Sequence, residues 1–162
     1  MFSVGDIAVY PAHGVGVIEN IETKEISGNK QDFYIMRILE NGMKIFIPTK
    51  NAKSVGLRSV VSQAEVDNLY EILRKKDVKI TNQSWNRRYR EYMEKIKTGS
   101  IYDIAEVYRN LNIIKAEKEL SFGERKILET ARSLLVKELA IAKCCKEEDI
   151  EKDLEELCNG MG

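Results

Sequence analysis

Histidine and tryptophan occur once each in the 162 residues, proline twice and cysteine three times, and each scarcity excludes something. His13 is the one imidazole, so any histidine-based nucleophilic set would have to use it, and it sits in a turn before Gly14. Cys144 and Cys145 are adjacent, Cys158 stands apart, and no CxxC spacing occurs. Such a set is neither a disulfide framework nor a zinc site. No stretch approaches the roughly 20 apolar residues that span a bilayer. The N-terminus, Met1-Phe2-Ser3-Val4-Gly5-Asp6, lacks the basic and apolar regions of a signal peptide, so the cytoplasm is the expected compartment. Neither GxGxxG nor GxxxxGK[ST] is present, and Gly14-Val15-Gly16 lacks the third glycine and following helix of a dinucleotide site. Acid pairs such as Glu147-Glu148 and Glu155-Glu156 read as a solvated helix face. The expectation is a protein that is not an enzyme, without catalytic residues, metal, cofactor or small-molecule substrate.

What is present is the composition of a folded chain: 43% hydrophobic and 32% charged residues, with no internal repeat and no low-complexity tract. The formal net charge of zero conceals a segregation. Between Arg74 and Lys97 nine basic residues face only Asp77, Glu91 and Glu94, whereas between Glu147 and Glu156 seven acids face only Lys152. A binding face for a polyanion can hide behind such a balanced total.

The apolar period changes once along the chain. Ile7 and Val9, Val15 and Val17 (with Ile21), Phe33 and Ile35 (with Ile38), and Met43, Ile45 and Ile47 alternate as strands do. Pro11-Ala12-His13-Gly14, Ser27-Gly28-Asn29-Lys30 and Glu40-Asn41-Gly42 separate them as turns, Asn41-Gly42 being the strongest hairpin signal because both residues tolerate positive φ. Four or five short strands before residue 58 predict a small, strongly bent sheet or barrel. From Ser62 onward the spacing is helical, and no proline follows Pro48 to forbid it. Ser62-Gln-Ala-Glu65 and Ser121-Phe-Gly-Glu124 are capping boxes, and Ser100-Ile-Tyr-Asp103, after Gly99, is a close variant. Apolar stripes run through Val66, Leu69, Tyr70 and Leu73, through Ile101, Ile104, Ala105, Tyr108 and Leu111, and through Ile127, Leu128, Ala131, Leu134, Leu135, Leu139 and Ala142. A last, acidic helix carries Ile150, Leu154 and Leu157. The predicted class is α+β in two domains: a β module over 1–58 and an all-helical domain of about five helices over 59–162.

The basic segment is the remaining candidate for chemistry. In a helix over Ser84 to Lys97, Trp85, Tyr89, Tyr92, Met93 and Ile96 share one face. Arg87, Arg90 and Lys97 lie opposite, and Arg88 and Lys95 flank the stripe. Two readings of Trp85 stand. It is a core residue of the stripe, or, at the first turn where a stripe overhangs the core, it is a wedge between flanking arginines that contact phosphates. Thr81, Asn82 and Ser84 upstream add candidate phosphate donors at the positive end of the helix.

These residues resemble a known family. Val4-Gly5-Asp6-Ile-Ala-Val-Tyr10-Pro11-Ala-His13-Gly14-Val-Gly16 is similar to the opening strand and turn of the CarD/CdnL family of bacterial transcription regulators, and Ile47-Pro48-Thr-Lys-Asn51-Ala-Lys-Ser-Val-Gly56-Leu-Arg58 to the end of that module. Trp85-Asn-Arg87-Arg88-Tyr89-Arg90, Ala105-Glu-Val-Tyr-Arg109-Asn-Leu111 and Leu120-Ser121-Phe-Gly123-Glu124-Arg125-Lys126 resemble its helical half, so the likeness covers nearly the whole chain in order. The first module alone is also similar to one in the transcription-repair coupling factor. The resemblance implies a Tudor-like (SH3-like) module that docks on the β-subunit lobe of RNA polymerase. It also implies a helical domain touching promoter DNA, without sequence preference, at the upstream edge of the transcription bubble. Trp85 then corresponds to a minor-groove wedge that props open the unwound DNA, and Arg87, Arg88 and Arg90 to backbone-contacting positions, with Asn86 completing the candidate DNA set. Lys24, Ile45, Phe46, Ile47 and Pro48 form the candidate polymerase set. Lys24 and Phe46 depart from positions often basic in the family: Lys24 keeps a charge without the arginine fork, and Phe46 implies a more apolar contact. Such a factor changes the lifetime of the open complex, and a monomer, on the nucleoid through polymerase, is expected. Two alternatives remain: an interaction adaptor without DNA contact, and a general nucleic-acid binder stacking bases on Tyr10, Phe33 and Tyr34.

Overall fold

Ser27 and Gly28 both adopt positive φ, 54° and 81°, and form the two-residue turn of the longest hairpin in the protein. Paired positive φ matches the right-handed twist of the flanking strands. These are β2 (Gly14–Ile26) and β3 (Asn29–Ile38), flanked by β1 (Ile7–Tyr10) and β4 (Lys44–Pro48), with a two-residue β5 (Arg58–Ser59) beside β1. The sheet is antiparallel in the order β4-β3-β2-β1-β5. The computed structural model describes residues 1–77 and 85–158, residue 85 through its backbone alone, and the chain divides into two units, Met1–Val60 and Val61–Gly162.

The Asn41-Gly42 turn differs from its expected form. Only Gly42 has positive φ (73°); Asn41 instead accepts a hydrogen bond at Oδ1 from Met43 N (2.9 Å), and Ile38 N donates to Met43 O across a four-residue loop. The asparagine side chain closes the loop as an Asx turn does, so Met43 stays outside β4 and half exposed. A bulge between Ile18 and Asn20 reverses the alternation along β2. Ile18, before the bulge and opposite Met36, enters the core with Ala8, Tyr34, Met36, Ile38 and Ile47, closed by Ala52 and Leu57. Gly16 sits where a Cβ would meet Arg37 O at 2.7 Å, so its lack of a side chain is what lets β2 and β3 approach.

The helical unit contains, among the described residues, α1 (Gln63–Arg74), α2 (Trp85–Lys97), α3 (Ile101–Glu117), α4 (Phe122–Ala142) and α5 (Glu147–Cys158). Its core joins Val66, Leu69 and Leu73 to Ile104, Val107 and Leu111, to Leu135 and Leu139, and to Ile150 and Leu154. Each such side chain contributes about 1.5–3 kcal/mol by leaving water. The three expected caps form differently. Ser121 and Glu124 make the complete capping box of α4. Ser62 donates to its own Glu65 carboxylate (3.0 Å), whose other oxygen accepts from Tyr102 of α3 (2.7 Å). Before α3 the cap moves to Thr98, whose hydroxyl bonds Asp103 (2.8 Å) and accepts from Ser100 N (3.2 Å), just before Gly99 turns the chain at φ +79°.

Candidate functional site

α2 is a helix with two characters. Its C-terminal half is rooted: Tyr92 and Ile96 are 5% and 2% exposed, and Met93 packs partly against the same core. Lys95 Nζ bonds Glu106 of α3 at 2.6 Å. Its N-terminal half leaves the core. Tyr89, expected on the buried stripe, is 42% exposed, and Asn86, Arg87 and Arg90 are exposed with it. The stripe thus begins to leave the core at Tyr89. The Trp85 ring itself, and Thr81, Asn82 and Ser84, lie outside the described residues.

The charges of that first turn run against helix electrostatics. Each of the other four described helices begins with an acid: Glu65, Asp103, Glu124, and Glu147, Glu148 and Asp149 respectively. Those acids complement the positive end of the helix dipole. α2 has none there and places Arg87 and Arg88 in the same region. A cation so placed costs about 0.3–1 kcal/mol unless an acid neutralises it. With Asn86, Arg87 and Arg90 exposed, the arrangement places positive charge near the positive end of the helix dipole.

Arg88, expected in the DNA set, is mostly buried against α4. Its side chain is 15% exposed, and Nη1 lies 3.5 Å from Oε2 of Glu124, whose side chain is 6% exposed. A carboxylate as buried as Glu124 is costly unless a cation and hydrogen bonds accompany it. Arg88 supplies the cation and Ser121 N the bond to the other oxygen, at 3.0 Å. Tyr92 lies against the pair: burial pushes its phenol up from 10.0, Arg88 opposes that shift and Glu124 adds to it. Sequence reasoning missed Glu124 as a partner of α2, since its capping role was visible and its tertiary one was not.

In the sheet unit the expected polymerase set separates by face. The register pairs Phe33 with Pro48 and Ile35 with Phe46, and places Tyr34 opposite Ile47 and Met36 opposite Ile45. Phe46 is 47% exposed on the edge strand β4, with the Lys24 ammonium 4.2 Å from its ring centroid, and half-buried Pro48 lies on the same side. Ile47, expected in the polymerase set, is 2% exposed and packs in the core, and Ile45 packs against that core from partial exposure. Glu19 and Arg37 form an ion pair between β2 and β3, with Lys44 3.9 Å from the same carboxylate. The aromatics considered for base stacking are also core: Phe33 and Tyr34 are buried, Tyr34 Oη accepts from Phe2 N (3.2 Å), and half-buried Tyr10 lies against His13. Among the described residues no cluster of three or more His, Cys, Asp or Glu can hold a metal, and no helix is long and apolar enough to cross a membrane.

Two family models match this architecture, the CarD-like/TRCF RID domain over residues 2–61 and the CarD C-terminal domain over residues 68–155. A putative transcription factor of Bacillus subtilis, YdeB, is 37% identical over 153 residues, which cover 93% of this chain and 98% of that one. The chain belongs to the CarD/CdnL family. It is thus a member of a transcription factor family, with the RID-type module in its sheet unit and the CarD C-terminal module in its helices. Two solved domains of Myxococcus xanthus also match this CarD/CdnL chain. CdnLNt is 52% identical, with TM-score 0.34, covering 39% of this chain and 89% of its own. The 72-residue N-terminal domain of CarD is 36% identical, with TM-score 0.32, covering 36% and 79%.

Proposed function

We propose that this CarD/CdnL-family chain is a monomeric, cytoplasmic transcription regulator that binds the β-subunit lobe of RNA polymerase through its sheet unit and steadies the open promoter complex through α2. The observation that carries the reading is the first turn of α2. Alone among the described helices, it omits the stabilising acid and exposes Asn86, Arg87 and Arg90 at the positive helix end. Stability given up at one exposed place is understandable if a polyanion completes the site. Arg87 and Arg90 contact phosphates, Asn86 adds a hydrogen bond, and Trp85, one turn before exposed Tyr89, is the minor-groove wedge at the upstream bubble edge. Phosphate contacts and a wedge read backbone and deformability, not base identity, so the effect is common to promoters of different sequence.

Polymerase contact falls to exposed Lys24 and Phe46 with half-buried Pro48 on the same side, and partly exposed Ile45 lies beside Phe46 on the opposite face of β4. The lysine held over the phenyl ring presents an apolar surface with a charged edge, suited to the centre of a small interface. Tethering by polymerase raises the local concentration of α2 at the DNA, so free DNA needs to bind only weakly. Hydroxyl-radical footprinting of promoter complexes, with and without the chain, tests the reading. Added protection confined to the upstream bubble edge is expected. An unchanged footprint with the chain bound to polymerase would make it an adaptor without DNA contact.

A further inference from the structure

We infer that Arg88 and Glu124 form a positioning strut that fixes the direction of the first turn of α2, and that Arg88 acts through Glu124 and not by touching DNA. The inference rests on the reading of α2 as the DNA-facing helix, and it assigns within that helix which cation is structural. Glu124 serves two elements at once. One oxygen closes the capping box of α4 by accepting from Ser121 N at 3.0 Å, and the other faces Arg88 at 3.5 Å. The guanidinium of α2 is thereby fastened to the first turn of α4, whose own geometry the cap makes rigid.

The placement of the strut matters more than its strength. α2 is rooted in the core at Tyr92 and Ile96 and bonded to α3 through Lys95 and Glu106, all in its C-terminal half. Its exposed half has the Arg88–Glu124 pair as the ion pair that ties it to another helix among the described residues. Arg87, Tyr89 and Arg90 flank Arg88 in sequence and point outward, so the orientation of these three depends on where Arg88 is held. At 15% exposure the side chain of Arg88 offers little of its guanidinium to a phosphate while Nη1 faces the buried carboxylate of Glu124.

Trp85 is the only tryptophan and lies three residues before Arg88, so its emission reports the first turn in the free protein. Arg88→Ala, Glu124→Gln, their combination and Arg88→Lys are compared by time-resolved fluorescence anisotropy, and again by open-complex lifetime with polymerase. Glutamine at 124 can keep the capping acceptor while removing the charge, and thermal melting verifies that each variant folds. Both single variants are expected to speed the local tryptophan motion and to shorten the lifetime alike, by about fivefold, with the double variant no worse than either single and the lysine variant partly restored. A lifetime shortened by Arg88→Ala but not by Glu124→Gln, or losses that add in the double variant, would overturn the strut and return Arg88 to the DNA. If anisotropy responds as expected while no variant, Trp85→Ala included, alters the lifetime, the strut stands and the DNA reading of α2 fails.

Discussion

Among single residues, what separates the functional from the structural is where the fold lets each side chain end. Phe46 and Ile47 are neighbours in sequence, yet one is exposed beside Lys24 and the other closes the core. Phe46→Ala should weaken polymerase binding about tenfold with little loss of stability, whereas Ile47→Ala should cost about 2–5 kcal/mol in urea unfolding. Pull-down and denaturation on the same two variants measure both. Equal stability loss would mean that Phe46 is also core. The three thiols differ in the same way. Burial raises Cys158 from 9.0 to about 11, with Lys76 and Arg109 opposing, while Cys144 is exposed. That shift leaves about 100-fold less thiolate than an ordinary thiol, so mass-resolved alkylation near neutral pH should label Cys144 well before Cys158.

For the secondary elements, much was legible because local rules decided the outcome. The stripes of α1, α3, α4 and α5 are buried as their spacing implied, and the Ser121–Glu124 box formed whole. α2 was legible in position but not in exposure. Spacing puts Tyr89 on the stripe, and only the neighbouring helices determine where the core stops beneath it. The same holds for the Ser62 and Ser100 caps, where Tyr102 and Thr98 competed for the acidic partners. The bulge in β2 was illegible, since it follows from pairing with β3 and leaves no mark on the alternation of β2 alone. Gly16 shows why that pairing is tight, with Arg37 O in the space a Cβ would take. Gly16→Ala should therefore destabilise the sheet unit by about 1–3 kcal/mol, read as a lower urea midpoint; an unchanged midpoint would show that β2 and β3 can part without cost.

In the whole molecule, the neutral total hides a division of labour between a basic helix and an acidic one, and the acidic α5 is chiefly packing. Tyr70 of α1 donates to Asp153 of α5 at 2.9 Å, and Lys143 at the end of α4 bonds the same carboxylate at 3.1 Å. Burial, reinforced by Asp153, raises Tyr70 from 10.0 to about 12; burial beside Cys158 raises Tyr108 equally. Phenols raised on folding stabilise fully below their unfolded value and lose that contribution as pH climbs to the folded one. The melting temperature should hence fall between about pH 10 and 12, and a flat profile there would contradict the burial of these rings. The central claim concerns the other helix. Its most direct measurement is the lifetime of promoter open complexes formed by polymerase with the intact chain and with Trp85→Ala, at matched polymerase occupancy. The account predicts a severalfold shorter lifetime for the variant with polymerase binding unchanged; an equal lifetime would contradict it.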